Sequence, residues 1–151
     1  MAYELSTNLN TNVSDITQYI VVNIGDEQYG IDIKYVDNIV RMQNITRVPK
    51  VPSYLKGVIN LRGEVIPVMS LRLKMYLDAD EITKNSRIII IKMSHEMIGI
   101  LVDSVKEVVN LSTEQIERVS FENRDNNFVQ GVGKMGETLI SLLDLNAVLA
   151  D

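Results

Sequence analysis

The chain has no cysteine and no tryptophan, one histidine, three prolines and only 5% aromatic residues across 151 positions. Without cysteine there is no disulfide framework, no thiolate zinc site and no thiol nucleophile, and cytoplasm is the default compartment. The single histidine, His95, falls in Ser94-His95 between two apolar runs. At a hairpin tip a solvated imidazole is the ordinary outcome, not a general base or metal ligand. No serine occupies a Gly-x-Ser-x-Gly elbow and no glycine-rich loop leads into a helix, so hydrolase and nucleotide-binding readings lack their parts. Asp78, Asp80 and Glu81 lack the spacing of a calcium loop and read as a soluble linker. Nothing in the sequence calls for a cofactor or a metal. No apolar run approaches the ~20 residues of a membrane helix, and residues 1–15 have neither the basic nor the apolar region of an export signal. Membrane insertion is therefore not expected. A sequence pI near 4.9 is a poor match to nucleic acid. Scarce aromatics likewise leave an oligonucleotide-binding barrel without stacking platforms.

What is present is apolar and patterned. The hydrophobic share is 46% against 23% charged residues, the balance of a folded chain with one core or two small ones. Charge is divided unevenly. Between Lys34 and Tyr76 stand eight basic and two acidic residues; from Asp78 to Asp151 there are seven basic and thirteen acidic. Opposite signs on two halves suit an oriented protein contact.

The chain also repeats itself. Tyr29-Gly30-Ile31, Val36 and Ile39-Val40 return as Ile98-Gly99-Ile100, Val105 and Val108-Val109 at a constant offset of 69. Gly57, Ile66, Ser70 and Leu71 return as Gly131, Ile140, Asp144 and Leu145 at an offset of 74, so the second half carries a longer loop. One barrel-sized unit used twice accounts for this order. Within each unit the alternation predicts about five short strands and a terminal helix. Gln18–Ile24 pairs with Glu27–Ile33 about Gly25-Asp26, and Gly57–Leu61 pairs with Glu64–Met69 about Arg62-Gly63. Ile88–Ile91 is an unbroken apolar run and predicts a strand covered on both faces. Lys34–Arg41 fits either a helical turn or a bent strand. Ser70 and Asp144 predict helix N-caps, and Ser112-x-x-Gln115 a capping box. Residues 1–16 read as a flexible tail. The fold expectation is mainly β: two pseudo-symmetric five-stranded barrels packed together, the first over about 18–77 and the second over about 86–149, interleaved where they meet.

Two groups of residues invite a functional reading beside a structural one. Arg62 sits at a hairpin corner, either as a plain exposed turn residue or as an arginine held out to a partner. Val36, Ile39, Val105 and Val108 hold equivalent places in the two units. They either fill the two cores or line a seam between them in which an amphipathic helix can dock.

The segments QYIVVNIGDEQYGID (Gln18–Asp32), GVINLRGEVIPVMSL (Gly57–Leu71), IGILVD (Ile98–Asp103) and LISLLDL (Leu139–Leu145) resemble the CheW family of bacterial chemotaxis coupling proteins. The likeness runs from about Gln18 to Leu149. It implies two SH3-like barrels and a noncatalytic cytoplasmic adaptor, recruited to receptor clusters. Such an adaptor joins the helical hairpin tips of chemoreceptors to the regulatory domain of a CheA-type histidine kinase. With no kinase core or receiver domain in this sequence, the resemblance implies a stand-alone coupler. Carried over by position, the receptor contact falls on Val36, Arg62, Val105 and Val108. The kinase contact falls on Asn38, Ile39 and Gly57, with a second, array-building contact near Phe121 and Glu122. The family often has an acidic residue where Asn38 stands; Asp37 can substitute only if the backbone turns it outward.

Overall fold

The structure is a computed structural model, which describes residues 15–120 and 128–150. Its strands are β1 (Ile16–Ile24), β2 (Glu27–Asp32), β3 (Val36–Arg41), β4 (Leu55–Leu61), β5 (Glu64–Ser70), β6 (Arg87–Met93), β7 (Glu96–Val102), β8 (Ser104–Ser112), β9 (Ile116–Arg118), β10 (Val129–Met135) and β11 (Thr138–Leu143). Two short helices, α1 (Leu71–Lys74) and α2 (Leu145–Leu149), follow β5 and β11. Both start as their sequences predict. Ser70 Oγ accepts from the Leu73 N–H at 3.1 Å, and Asp144 Oδ1 from the Ala147 N–H at 3.3 Å. The ambiguous stretch 34–41 is both things in turn: a 3-10 turn over Ile33–Tyr35, then β3. Gln115 Oε1 accepts from the Ser112 N–H at 2.9 Å, the return arm of the capping box.

The strands form two sheets, ordered β8-β1-β2-β11-β10-β9 and β3-β6-β7-β5-β4. Each closes into a barrel through the chain that follows its first strand. β8 continues through a 3-10 turn into β9, which pairs with β10. Beyond β3 the chain returns to β4, where Thr46 and Val58 exchange backbone hydrogen bonds of 2.8 and 2.9 Å.

The interleaving runs deeper than the division at 18–77 and 86–149 allows, and that division needs correction. Each barrel takes two strands from one half and its remaining strands from the other: β1 and β2 join β8–β11, while β6 and β7 join β3–β5. The physical cause lies in two crossovers. Ile33–Tyr35 separates β2 from β3 and Asp103 separates β7 from β8, and neither holds a residue at the positive φ that a tight hairpin needs, so the chain bends onto the other sheet there instead of folding back.

Three cores result. Tyr19, Val21, Val109, Leu111, Ile140 and Leu142 fill one barrel, and Ile59, Ile66, Val68, Ile88, Ile90 and Leu101 fill the other. The largest core lies between them, fourteen buried residues drawn from both sheets and both helices, so neither barrel has a complete core alone. Alternation sorts the side chains. Tyr19 and Val21 point into their barrel while Ile20, Val22 and Ile24 point into the seam. Ile88 and Ile90 against Ile89 and Ile91 do the same on β6, which is why that run tolerates no polar residue.

Candidate functional site

The seam has a rim, and two β-bulges build it. β3 pairs with β6 through Val36↔Ile91 and Asn38↔Ile90, leaving Asp37 as the extra residue. β8 pairs with β1 through Val105↔Val22 and Glu107↔Val21, leaving Lys106 extra at the equivalent place. In a regular strand residues three apart face opposite ways; one inserted residue brings them to the same side. Val36 and Ile39 therefore stand opposite Ile91 and Ile89, and Val105 and Val108 opposite Val22 and Ile20, all four partners being seam residues. Val36 and Val105 are half-buried against the seam core. Ile39 and Val108 lie farther out, 36% and 51% exposed. Of the two readings of these four positions, the seam applies, with one residue of each pair packed and one offered to solvent.

Asn38 lies opposite Ile90, a barrel-interior residue, and is half-buried. Its Oδ1 accepts from the Ile39 N–H at 2.8 Å and is turned back on its own strand. Asp37, in the bulge, is exposed. The acidic group beside the rim is thus Asp37, and the backbone does turn it outward.

Gly57 is buried at the closure of its barrel, where a Cβ would stand 2.1 Å from the Thr46 carbonyl oxygen, at φ +144°. It offers no side chain for contact, and its neighbours are Thr46 and Ile45 of the segment that closes the barrel. Arg62 and Gly63 form the β4–β5 turn with φ +52° and +84°, and the Gly63 N–H donates to Asn60 Oδ1 at 3.2 Å. Positive φ at both central residues marks a type I′ turn, whose first place asparagine or glycine normally fills. Arginine there carries about 1 kcal/mol of strain. Its side chain is exposed and has no hydrogen bond or ion pair among the described residues. Leu61, the last residue of β4, and Met42, just after β3, pack on the same barrel core. Arg62 therefore shares a barrel with Val36, Asn38, Ile39 and Gly57, while Val105 and Val108 belong to the other. Phe121 and Glu122 lie outside the described residues.

The sequence reading missed the ion pair that pins the rim's base. Arg72 on α1 donates twice to Asp103, Nε to Oδ1 at 2.9 Å and Nη2 to Oδ2 at 2.6 Å. The Gly25 N–H also donates to Asp103 Oδ2, at 2.8 Å. The Arg72 guanidinium holds the Asp103 carboxyl below the usual carboxylate range, partial burial opposing it and the Gly25 N–H assisting. Burial and a hydrogen bond to Glu27 push the Tyr29 hydroxyl up to about 12, so the seam residue stays neutral. Among the described residues no group of three or more His, Cys, Asp and Glu side chains could hold a metal ion, and no helix is long and apolar enough to cross a membrane.

Residues 18–151 match the family described as CheW-like domain. The chain is 35% identical over 136 residues to a chemotaxis protein CheW of Helicobacter pylori, covering 89% of this chain and 82% of that one. It is 36% identical over 132 residues to a chemotaxis protein CheW of Bacillus subtilis, covering 86% and 85%. Among solved structures, the crystal structure of the scaffolding protein TtCheW from Thermoanaerobacter tengcongensis superposes with a TM-score of 0.82 at 32% identity, over 89% of this chain and 93% of that one.

Proposed function

Because this chain belongs to the CheW family, a family of chemotaxis scaffolds without catalytic activity, we propose that it couples chemoreceptor tips to a CheA-type histidine kinase. The observation that carries this reading is the doubled bulge, which lays Val36, Ile39, Val105 and Val108 along one seam and leaves Ile39 and Val108 uncovered. An amphipathic helix from a receptor hairpin would cover that apolar rim, with i, i+3, i+4 side chains meeting Val105 and Val108. Val36 would support it from below. Arg62 would reach the same helix from the rigid turn, its unpaired guanidinium meeting a carboxylate. The kinase's regulatory domain would meet the barrel face formed by Asp37, Asn38 and Ile39 over Gly57, with Asp37 taking the acidic part. The array-building contact remains assigned to Phe121 and Glu122. The protein would act in the cytoplasm and collect at receptor clusters through these contacts, with no insertion of its own.

Reconstitution tests the reading. Kinase and receptor-containing membranes are assayed for autophosphorylation with no coupler, with this protein, or with Val108→Glu. The native chain is expected to raise kinase activity and make it ligand-sensitive; Val108→Glu is expected to lose at least about tenfold of that gain. Activity that is the same with and without the native chain would refute coupling.

A further inference from the structure

We propose that the segment between β3 and β4 is a docking site for an acidic protein segment carrying aliphatic anchors. This stretch forms a surface cup of about 500 Å³. Half-buried Ile45, Val51 and Leu55 line it together with the cations Arg47, Lys50 and Lys56. No carboxylate lines it. Elsewhere Arg72 pairs with Asp103, and Lys134 with Glu117 at 2.8 Å. The three cations of the cup have no hydrogen bond or ion pair among the described residues.

The cup is held in shape before anything binds. Thr46 is pinned to Val58 at one end, and at the other the Tyr54 carbonyl accepts from the Ser70 N–H at 2.7 Å. Pro49 and Pro52 restrict the stretch between, and the Leu55 N–H closes a turn on the Pro52 carbonyl at 3.0 Å. Lys50 lies at φ +60°, a conformation that glycine or asparagine adopts more cheaply. A lysine kept in a strained place on a rigid concave wall is the pattern of a binding residue.

Strand exchange strengthens the local field. Residues 36–102, which make this barrel with the linker that Asp80 ties to Ser70, hold ten basic and six acidic side chains, or +4. The described remainder of the other barrel, 15–35, 103–120 and 128–150, holds four basic and ten acidic, or −6. The cup thus opens on the basic barrel, and a negative occupant is favoured at long range as well as in contact. The half-buried aliphatic lining adds a demand that a bare anion does not meet. The cup shares no residue with the seam rim but adjoins Gly57 of the proposed kinase contact through Lys56 and Ile45; a peptide assay contains neither kinase nor receptor, so its failure is distinguishable from a failure of coupling.

The test uses the full chain and a fluorescein-labelled peptide of glutamates interrupted by two leucines, followed by anisotropy. Binding is expected to weaken by about tenfold or more between low and high salt. Combined Arg47→Glu, Lys50→Glu and Lys56→Glu is expected to weaken it at least about tenfold, while Lys84→Glu, Lys92→Glu and Lys134→Glu together change it less than about twofold. Lys50→Gly relieves the strain and removes one cation; it should fold and still lose about threefold, which covers the case of a misfolded triple variant. Equal loss in both triple variants, equal binding of a peptide with serine for leucine, or displacement by inorganic triphosphate at concentrations as low as the peptide's own would each overturn the proposal.

Discussion

Arg72 and Asp103 meet side-on through two hydrogen bonds of 2.9 and 2.6 Å, and the same carboxylate takes the Gly25 N–H. Arg72 follows β5 of one barrel, Gly25 turns between β1 and β2 of the other, and Asp103 is the single residue by which the chain crosses between them. The contact therefore holds the crossover at the point where the barrels exchange strands.

Removing one partner should be felt as stability and not as lost chemistry. Asp103→Asn keeps the shape but loses the charge, and is expected to cost about 1–3 kcal/mol near neutral pH by denaturant unfolding. The pH dependence follows from the direction of the shift. Asp103 has its carboxyl lowered in the folded state. Its contribution is present above the unfolded pKa of about 3.9 and is lost as pH falls through the folded value. Native and Asp103→Asn stabilities should therefore converge in acid; a gap that stays constant down to about pH 2 would contradict the ion pair.

Gly57→Ala should be among the most damaging small substitutions. The added Cβ would sit 2.1 Å from a backbone oxygen, at a φ of +144°. Neither can be relieved by a rotamer change, so the Thr46–Val58 closure must open. A loss of roughly 3 kcal/mol or more is expected, with amide hydrogen exchange rising first at Thr46 and Val58.

Deleting Lys106 tests the bulge. Without the extra residue Val105 and Val108 stand two apart on a regular strand, still opposite Val22 and Ile20, while Val109 and Leu111 keep the barrel interior. The deletion is therefore expected to cost no more than about 1 kcal/mol. Deleting Asn110, where no bulge stands, turns Leu111 out of the barrel and is expected to cost on the order of 2 kcal/mol or more in denaturant unfolding. Equal losses in the two deletions would remove the bulge from the account of the rim.

Arg62→Gly separates strain from binding. The turn has φ +52° at this position, which glycine adopts freely. Stability is expected to hold or rise by up to about 1 kcal/mol, while kinase coupling falls. A variant that couples as well as the native chain would make Arg62 a turn residue and nothing more.

Much of this protein can be read along the chain because its determinants are local. The faces of β1 and β6, the caps at Ser70, Asp144 and Ser112 and the hairpin turns at Gly25 and Arg62 follow from alternation and from short-range hydrogen bonding. That Val36, Ile39, Val105 and Val108 hold equivalent places in the two halves was also legible, as a repeated pattern. That i and i+3 share a face was not, because the extra residue of a bulge has no marker in Asp37 or Lys106. The Arg72–Asp103 pair went unseen because the two residues lie 31 positions apart and nothing in either neighbourhood points to the other.

By itself the amino-acid order determined a doubled, mainly β chain with short alternating strands, no reactive centre and opposite charge in its halves. Only the tertiary structure decided which strands share a barrel. β1 and β6 carry the same pattern, so β3 and β8 find equivalent edges in their own half and in the other. Pattern cannot distinguish two equivalent partners; the crossovers at Ile33–Tyr35 and Asp103 do, holding no residue at the positive φ that a tight turn back would need. That choice gathers the bases on one barrel and the acids on the other, and sets the largest core, with its exposed rim, between them.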